Sequence, residues 1–360
     1  MLLGKTLYIN AFNSGNSGAS VISDRNYKLI SSNSSEVIKY SIDLTLKNVK
    51  QNLKSILIDF NLVSETDIKN ILEQIRFNHI ETVFIDVSLL GNIAKEIKRD
   101  FPDIYILAFF HNVEYDYFRE LIKVAKKIQH YFTLLLVKKA EAQLVKFADV
   151  IITLNYRDSQ SLKIRYNKHA DLILPTSFED NYDEEQYGLN KKNFDTLNLL
   201  FVGSYFPPNV YAVDWFVNNV LVNLKRKVVL YVVGNGFESH KFKEIDPRVK
   251  LIGRVEDLSK YYYLADVVLA PIFHGSGMKT KVAESLMYNK PVIGTVEAFE
   301  GYQMNVKDIG WQCDTAEEFI NTIHDLDLSK PMIMREVFLN YYSFHTIKSN
   351  FYNFLNDKKG

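Results

Sequence analysis

The chain has one cysteine, no long apolar run and no net charge among its 360 residues. Cys313 stands alone, so an intrachain disulfide and a zinc site built on cysteines are both excluded. No apolar run reaches the roughly 18 residues that a membrane-spanning helix requires. The segment from Met1 to Phe12 lacks the charged leader and apolar core of a signal peptide. We therefore expect a soluble, cytoplasmic protein, attached at most to the inner face of the cell membrane.

Positive and negative side chains balance, with 43 lysines and arginines against 43 aspartates and glutamates. This balance gives no electrostatic reason to expect binding to nucleic acid. Hydrophobic residues make up 47% of the chain, which suffices for large cores. Because 360 residues exceed the usual size of a single core, we expect two domains.

The first half of the chain alternates strand-like and helix-like patterns. Strands are predicted at residues 5–12, 55–60, 82–87, 104–110, 149–154 and 171–175. Helices are predicted at residues 65–77, 91–99, 117–147 and 157–166, and residues 21–29 fit either a helix or a strand. Such alternation predicts a parallel sheet covered on both faces, which is the α/β class. The lysine-rich segment 117–147 fits a core helix, with binding to an anionic membrane surface as the alternative.

Two polar segments of this half follow predicted strands, at the sheet edge where α/β proteins bind ligands. Gly15 and Gly18 lie in the loop after the first strand, and His111 and Glu114 follow the strand at 104–110. His111 could act on a hydroxyl group or on charge at a reacting carbon, because imidazole titrates near neutral pH. The simpler alternatives are a plain turn for the glycines, a strand cap for His111 and a helix start for Glu114.

The stretch from residue 270 to residue 287 combines a strand end, a Gly-Ser-Gly turn and a helical pattern. Backbone N–H groups at a helix start attract phosphate, and Lys279 and Lys281 add positive charge there. Glu284, one turn further on, is placed to accept hydrogen bonds from a pair of ribose hydroxyls. The pattern favours a nucleotide ligand, although an ordinary βα unit with a solvated lysine face would show the same spacing.

The second half repeats the alternation after a polar, acidic segment at residues 176–196, which suits a linker. Strands are predicted at residues 197–202, 228–233, 249–252, 266–270, 291–294 and 310–313. Helices are predicted at residues 210–222, 258–264 and 316–326, with one or two more at 335–355. Gly203, Gly234 and Gly275 each follow a strand, and parallel strands end at one edge of a sheet. A single nucleotide could therefore span the three turns.

Five motifs of the second half occur in the order and spacing of a known family. They are LFVGSYFPPN at residues 200–209, VVGNG at 232–236, GRVED at 253–257, GSGMKTKVAE at 275–284 and PVIGT at 291–295. Over roughly residues 197–301, the chain thus resembles the GT-B-fold retaining glycosyltransferases of family four, the group 1 glycosyl transferases. The first half resembles the family more loosely, through the glycine-rich first loop, the segment 111–114 and the Phe-Ala-Asp triplet at 147–149.

The resemblance implies two Rossmann-like domains with parallel sheets that face each other across a cleft. Residues 1–175 would bind the acceptor, residues 197–335 a nucleotide-activated sugar, and residues 336–360 would form a helix crossing back to the first domain. The implied catalytic residues are His111, Lys281 and Glu284. The implied donor-binding residues are Gly15, Gly18, Gly203, Ser204, Gly234, Arg254, Val255, Gly275, Ser276, Gly277, Lys279, Lys281 and Glu284.

The resemblance assigns these residues to parts of the donor. Gly203 and Ser204 would approach the diphosphate, and the lysines and the 275–277 turn would neutralise it. Gly234, Arg254 and Val255 would lie by the base, and Glu284 would take the ribose hydroxyls. His111 would sit near the transferred sugar, with Gly15 and Gly18 near its phosphate or the acceptor.

The implied activity is transfer of a sugar from a nucleotide sugar to a hydroxyl of a glycan, lipid-linked or protein-linked acceptor, with retention of anomeric configuration. A UDP-sugar is the expected donor, no further cofactor or metal is expected, and bacterial surface polysaccharide or glycoconjugate synthesis is the expected setting. Many members carry a glutamate where this chain has Ser276. A non-catalytic partner or chaperone of an active transferase is therefore the alternative, and a nucleotide-sugar epimerase ranks third. The sequence does not indicate an oligomeric state.

Overall fold

The structure is a computed structural model that describes residues 2–11, 18–44, 62–125, 128–189, 196–241, 246–275, 277–329 and 332–359. The chain divides into two compact units. The first unit comprises Met1–Pro175 and Lys348–Gly360, and the second comprises Thr176–Ile347.

The first unit contains a six-stranded sheet in which every paired strand is parallel. Its strands are β1 (Lys5–Asn10), β2 (Glu36–Ser41), β3 (Thr82–Ile85), β4 (Tyr105–Phe110), β5 (Val150–Thr153) and β6 (Leu172–Ile173). They lie in the order β2-β1-β3-β4-β5-β6. The central strands are almost continuous apolar runs, as expected where helices cover both faces of a parallel sheet.

Helices connect these strands and supply the other half of the core. They are α1 (Gly18–Ser31), α2 (Glu65–Asn78), α3 (Gly91–Asp100), α4 (Glu114–Ala125), α5 (Ile128–Phe147) and α6 (Tyr156–Tyr166). The Ser64 side chain caps α2 by accepting a hydrogen bond from the Asp67 backbone N–H. Gly91 lets α3 approach α5 closely, because a Cβ on Gly91 would lie 1.8 Å from the Ala140 carbonyl oxygen.

The second unit has a second parallel sheet of six strands. The strands are β7 (Leu197–Val202), β8 (Val228–Val233), β9 (Val249–Gly253), β10 (Val267–Ala270), β11 (Val292–Gly294) and β12 (Gly310–Gln312). Their order is β12-β11-β10-β7-β8-β9, so β10, β7 and β8 are neighbours.

Seven helices complete the described part of the second half of the chain. They are α7 (Glu184–Leu189), α8 (Pro207–Asn219), α9 (Ser259–Leu264), α10 (Thr280–Met287), α11 (Ala316–His324), α12 (Met334–Val337) and α13 (Phe344–Lys359). Proline at the start of α8 suits a helical first turn, and a capping box formed by Thr315 and Glu318 begins α11. A π-helical turn, Phe338–Tyr342, precedes α13, which begins in the second unit and ends in the first.

The observed architecture confirms the predicted α/β class with two parallel sheets. Segment 21–29 is helical, within α1, and the predicted helix 117–147 corresponds to α4 and α5 on either side of residues 126–127. Strand β2 is not indicated by the sequence patterns, because this edge strand is partly exposed and carries Glu36 and Lys39. The strand predicted at 55–60 lies outside the described residues.

The polar segment at 176–196 packs within the second unit over the part that the structure describes, residues 176–189. Phe178 bridges to Ser343, and the Asp180 carboxylate accepts two hydrogen bonds from Arg335. The Asp183 backbone N–H donates to the Tyr263 hydroxyl at 2.7 Å. Among the described residues, no helix combines the length and apolar character that crossing a membrane would need.

Candidate functional site

Three glycine-bearing turns lie side by side at one edge of the second sheet. Gly203 follows β7, Gly234 follows β8 and Gly275 follows the neighbouring β10. The strands are parallel, so their carboxyl ends share this edge, as the sequence predicted. In open α/β sheets, ligands bind at this edge.

The turns after β7 and β8 touch through their backbones. The Gly203 N–H donates to the Val233 carbonyl at 3.0 Å, and a Cβ on Gly234 would lie 1.8 Å from the Gly203 oxygen. Gly234 also has a φ of 156°, a conformation that side chains disfavour. Glycine is therefore required where these two loops meet.

The turn after β10 leads directly into α10. Gly275 and Gly277 have φ values of 149° and 66°, and Ser276 lies outside the described residues. The Lys279 ammonium donates to the Gly277 carbonyl at 2.9 Å and pairs with Glu297 at 2.8 Å. The Tyr302 hydroxyl donates to the Lys279 carbonyl at 2.8 Å and accepts from the Ala283 N–H at 3.1 Å. These bonds fix the start of the helix, where backbone N–H groups favour an anion.

Lys281 is a buried cation in the first turn of α10. Its ammonium lies 3.1 Å from Asn209 Oδ1 and 4.0 Å from the centre of the Phe201 ring. Burial and the nearby Lys279 charge lower the pKa of Lys281 to about 7, while Glu284 opposes the shift. Asn209 also donates to the Ser204 carbonyl at 2.9 Å. The amide side chain thus ties the turn after β7 to the lysine of α10.

Glu284 lies one turn beyond Lys281 and is half-buried. The Tyr262 hydroxyl donates to its Oε2 at 3.3 Å. Burial raises the pKa of Glu284 to about 7, against the hydrogen bond from Tyr262 and the charge of Lys281. At neutral pH this carboxyl can therefore exchange a proton while offering an acceptor to a hydroxyl.

Arg254 and Val255 follow β9, at the end of the same row of loops. Arg254 is exposed and Val255 is half-buried. The preceding Gly253 has a φ of 74°, and a Cβ there would lie 2.5 Å from Glu238 Oε2. The structure thus brings the donor-binding residues predicted in the second half onto adjacent loops, apart from Ser276.

The predicted residues of the first unit lie at the edge of its own sheet. His111 follows β4 and is buried, with Nε2 3.3 Å from Asp86 Oδ1. The Tyr8 hydroxyl and the Asn26 amide donate to Asp86 at 2.7 and 2.6 Å. Burial favours the neutral acid, but the charge and hydrogen bond of His111 and the hydrogen bonds of Ser23 and Asn26 outweigh it and lower the pKa of Asp86. Gly18 is the first residue of α1, and Gly15 lies outside the described residues.

Several side chains of the second unit's site were not predicted from the sequence. They are Asn209, Tyr262, Glu297 and Tyr302. Each contacts a predicted part of the site from a distant position in the chain. Spacing along the sequence therefore does not predict these contacts. The Pro-Pro-Asn end of the first motif was the one local signal for Asn209.

Comparison with known proteins supports the same architecture. Residues 196–326, most of the second unit, match the model of the family described as Glycosyl transferases group 1. A comparison with curated proteins found no match.

Solved structures match the chain over almost its whole length. Sucrose-phosphate synthase from Thermosynechococcus elongatus has a TM-score of 0.70 and 13% identity, over 98% of each chain. A glycosyltransferase from Rickettsia africae has a TM-score of 0.68 and 15% identity, over 99% of this chain and 98% of that one. Anabaena Alr3699/HepE in complex with UDP-glucose has a TM-score of 0.67 and 14% identity, over 98% of this chain and 99% of that one. At these identities the likeness defines the fold, which is the GT-B fold of glycosyltransferases.

Among the described residues, no group of three or more histidine, cysteine, aspartate or glutamate side chains is arranged to hold a metal ion. At the turn before α10, positive charge comes from Lys279, Lys281 and the start of the helix.

Proposed function

We propose that the protein is a glycosyltransferase that moves a sugar from a nucleotide sugar to an acceptor hydroxyl. The observation that carries the proposal is the buried Lys281 ammonium beside a glycine turn at the start of α10. Burying an ammonium is unfavourable unless an anion or another strong partner offsets the cost. A diphosphate at the helix start would supply that anion.

In this proposal the row of loops in the second unit binds the donor. Lys279, Lys281 and the 275–277 turn neutralise the diphosphate, and Gly203 and Ser204 give it close access to the backbone. The Glu284 carboxylate accepts hydrogen bonds from the ribose hydroxyls. The base extends toward Gly234, Arg254 and Val255. The support is the strand order, which places these loops in sequence from β10 to β9.

We infer that the reaction retains the anomeric configuration. The bond between the anomeric carbon and the diphosphate oxygen breaks, and the acceptor oxygen bonds to the same face of that carbon. The acceptor's proton passes to the leaving phosphate oxygen, so no protein base is required. Fixed N–H groups and lysines stabilise the charge that develops on the diphosphate. Proton NMR of the first product formed tests this step, and an inverted anomer would contradict it.

We propose that the lysines and the helix start make a divalent ion unnecessary. Activity should then persist in excess EDTA. Loss of activity with EDTA that is restored by Mg²⁺ or Mn²⁺ would contradict the proposal.

A UDP-sugar is the proposed donor, and the similar Anabaena protein was solved in complex with UDP-glucose. The proposed acceptor is a glycan, lipid-linked or protein-linked hydroxyl in bacterial surface glycoconjugate synthesis at the cytoplasmic face of the membrane. For His111 we propose contact with the transferred sugar. His111→Ala should then lower kcat while leaving the affinity for UDP unchanged.

A thermal-shift screen with UDP, ADP, GDP, CDP and TDP tests the function. Binding of the correct nucleotide stabilises the folded state by mass action. We expect one nucleotide to raise the melting temperature, and the matching sugar nucleotides to be hydrolysed or used for transfer. Stabilisation without turnover on any sugar nucleotide would favour the non-catalytic partner suggested by Ser276. If no nucleotide raised the melting temperature, both the transferase proposal and the non-catalytic alternative would be overturned.

A further inference from the structure

A chain of three polar side chains links the two loops that lie between the start of α10 and the edge strand β9. The Tyr205 hydroxyl lies 3.3 Å from His240 Nδ1, and His240 Nε2 lies 2.8 Å from Asp214 Oδ1. Tyr205 belongs to the loop after β7, His240 to the loop after β8, and Asp214 to α8. The functional assignments above use none of these three residues.

The position of the Tyr205 ring is strongly constrained. Its backbone N–H donates to the Asn235 carbonyl at 2.8 Å. The ring meets Phe237 edge-on, with centroids 5.3 Å apart, and lies 5.6 Å from the His240 ring. Gly236 makes room for it, because a Cβ on Gly236 would lie 2.6 Å from Tyr205 Cβ.

Tyr205 nevertheless remains 49% exposed. His240 is well placed to hold it, since its own side chain is only 5% exposed and is oriented by the Asp214 carboxylate. A rigid, half-exposed aromatic ring at a ligand-binding edge is suited to stack on a flat ligand group.

The order of the strands indicates which group that is. From β10 to β9 the sheet spans three strand spacings, about 14 Å, which is comparable to an extended nucleoside diphosphate. With the diphosphate at the start of α10, the base reaches the loops after β8 and β9. Tyr205 lies between, where the loops after β7 and β8 meet.

We infer that Tyr205 stacks on the base of the bound nucleotide, and that His240 and Asp214 are positioning residues that fix its ring. The inference rests on the proposed donor site and adds to it the side chain on which the base stacks. Stacking tolerates any base, so the ring supplies affinity, and the neighbouring loops choose among the bases.

Isothermal titration with UDP and with inorganic diphosphate tests this inference, because only UDP carries a base. If another nucleoside diphosphate binds more tightly than UDP, that nucleotide is used in the titrations in place of UDP. Tyr205→Ala should weaken nucleotide binding about tenfold or more, and leave diphosphate binding unchanged. Tyr205→Phe keeps the aromatic ring and should therefore lose less nucleotide affinity than Tyr205→Ala. Tyr352→Ala is the matched control, since that tyrosine is 50% exposed and lies in the first unit.

Asp214→Ala tests the positioning role through a double-mutant cycle. It should weaken nucleotide binding in the natural chain, and have no further effect in the Tyr205→Ala background. A purely structural role would weaken diphosphate binding too, or give additive losses, and either result would overturn the inference. Equal nucleotide affinity in Tyr205→Ala and the natural chain would also overturn it, with the donor site left intact. Failure of the natural chain to bind any nucleotide would instead remove the proposed function.

Discussion

Lys281 combines a cost to stability with a place at the candidate site. Its pKa, lowered to about 7 by burial, shows that folding disfavours the charged form. A shift of one pKa unit corresponds to about 1.4 kcal/mol, so the unfavourable contribution amounts to several kcal/mol when the lysine is charged. Residues that reduce stability at a ligand-binding edge are expected where function requires them.

Lys281→Met should separate the effect of this lysine on stability from its effect on activity. We expect kcat/KM to fall at least about 100-fold, as when a preorganised donor to a developing charge is removed. The melting temperature should rise, most clearly at pH 7 and below, where the native ammonium is charged. The gain should shrink as the pH rises from 7 toward 10.5, because the unfolded lysine then also loses its proton.

Lys307→Ala is the control for this substitution. Lys307 is exposed and precedes β12, at the opposite edge of the sheet from the glycine turns. The Lys307→Ala substitution should leave both activity and melting temperature unchanged. Full activity in Lys281→Met would remove Lys281 from the mechanism.

The same lysine predicts how nucleotide binding depends on pH. Above pH 7 the amine in the empty site is mostly neutral, and a bound diphosphate favours its protonation. Affinity for UDP should therefore fall as the pH rises from 7 to 9, by up to about tenfold per unit. Calorimetry in two buffers of different ionisation enthalpy should detect uptake of up to one proton.

Two variants identify the group responsible for this proton uptake. Glu284 also has a pKa near 7, so it could contribute to the change. Lys281→Met should abolish the uptake above pH 7, and Glu284→Gln should retain it. Affinity that stays constant from pH 7 to 9 would show that Lys281 does not contact the phosphate.

At the scale of elements, the contact between the turns after β7 and β8 is the tightest feature of the site. Gly234→Ala would place a methyl group 1.8 Å from the Gly203 oxygen, so one loop must move. We expect a loss of about 2 kcal/mol or more, or roughly 5 °C in melting temperature for a unit of this size.

Gly275→Ala is the matched comparison for Gly234→Ala. Gly275 also has positive φ, at 149°, but the nearest atom to an added Cβ is 3.5 Å away. Thermal unfolding should therefore rank Gly234→Ala as the less stable variant. The reverse order would mean that backbone conformation, and not crowding, makes glycine necessary at these turns.

Elements with strong local patterns were predictable, and those that depend on distant partners were not. The apolar runs of β7 and β8 predict the bounds of these strands well, because all of their residues are buried or half-buried. The edge strand β2 is partly exposed, so its pattern resembles that of a loop. Asn209 and Tyr302 reach the site through contacts 72 and 19 residues away in the chain, which no spacing rule encodes.

At the scale of the whole molecule, the chain uses two parallel sheets for separate tasks in the proposed function. Each sheet carries its candidate residues at the carboxyl ends of its strands, with His111 in the first unit and Lys281 in the second. The class of fold followed from the alternation of strands and helices, and the candidate site was predicted from glycines at strand ends. In the proposed function, the choice of sugar would depend on side-chain geometry that neither pattern records.

The central claim is that a nucleoside diphosphate binds at the start of α10. A crystal structure of the chain soaked with the nucleotide chosen by the thermal-shift screen tests this claim most directly. We predict density for the diphosphate within hydrogen-bonding distance of Lys281 Nζ and the backbone N–H groups of residues 277–281. A nucleotide bound elsewhere, with the turn before α10 filled by protein side chains, would contradict the account.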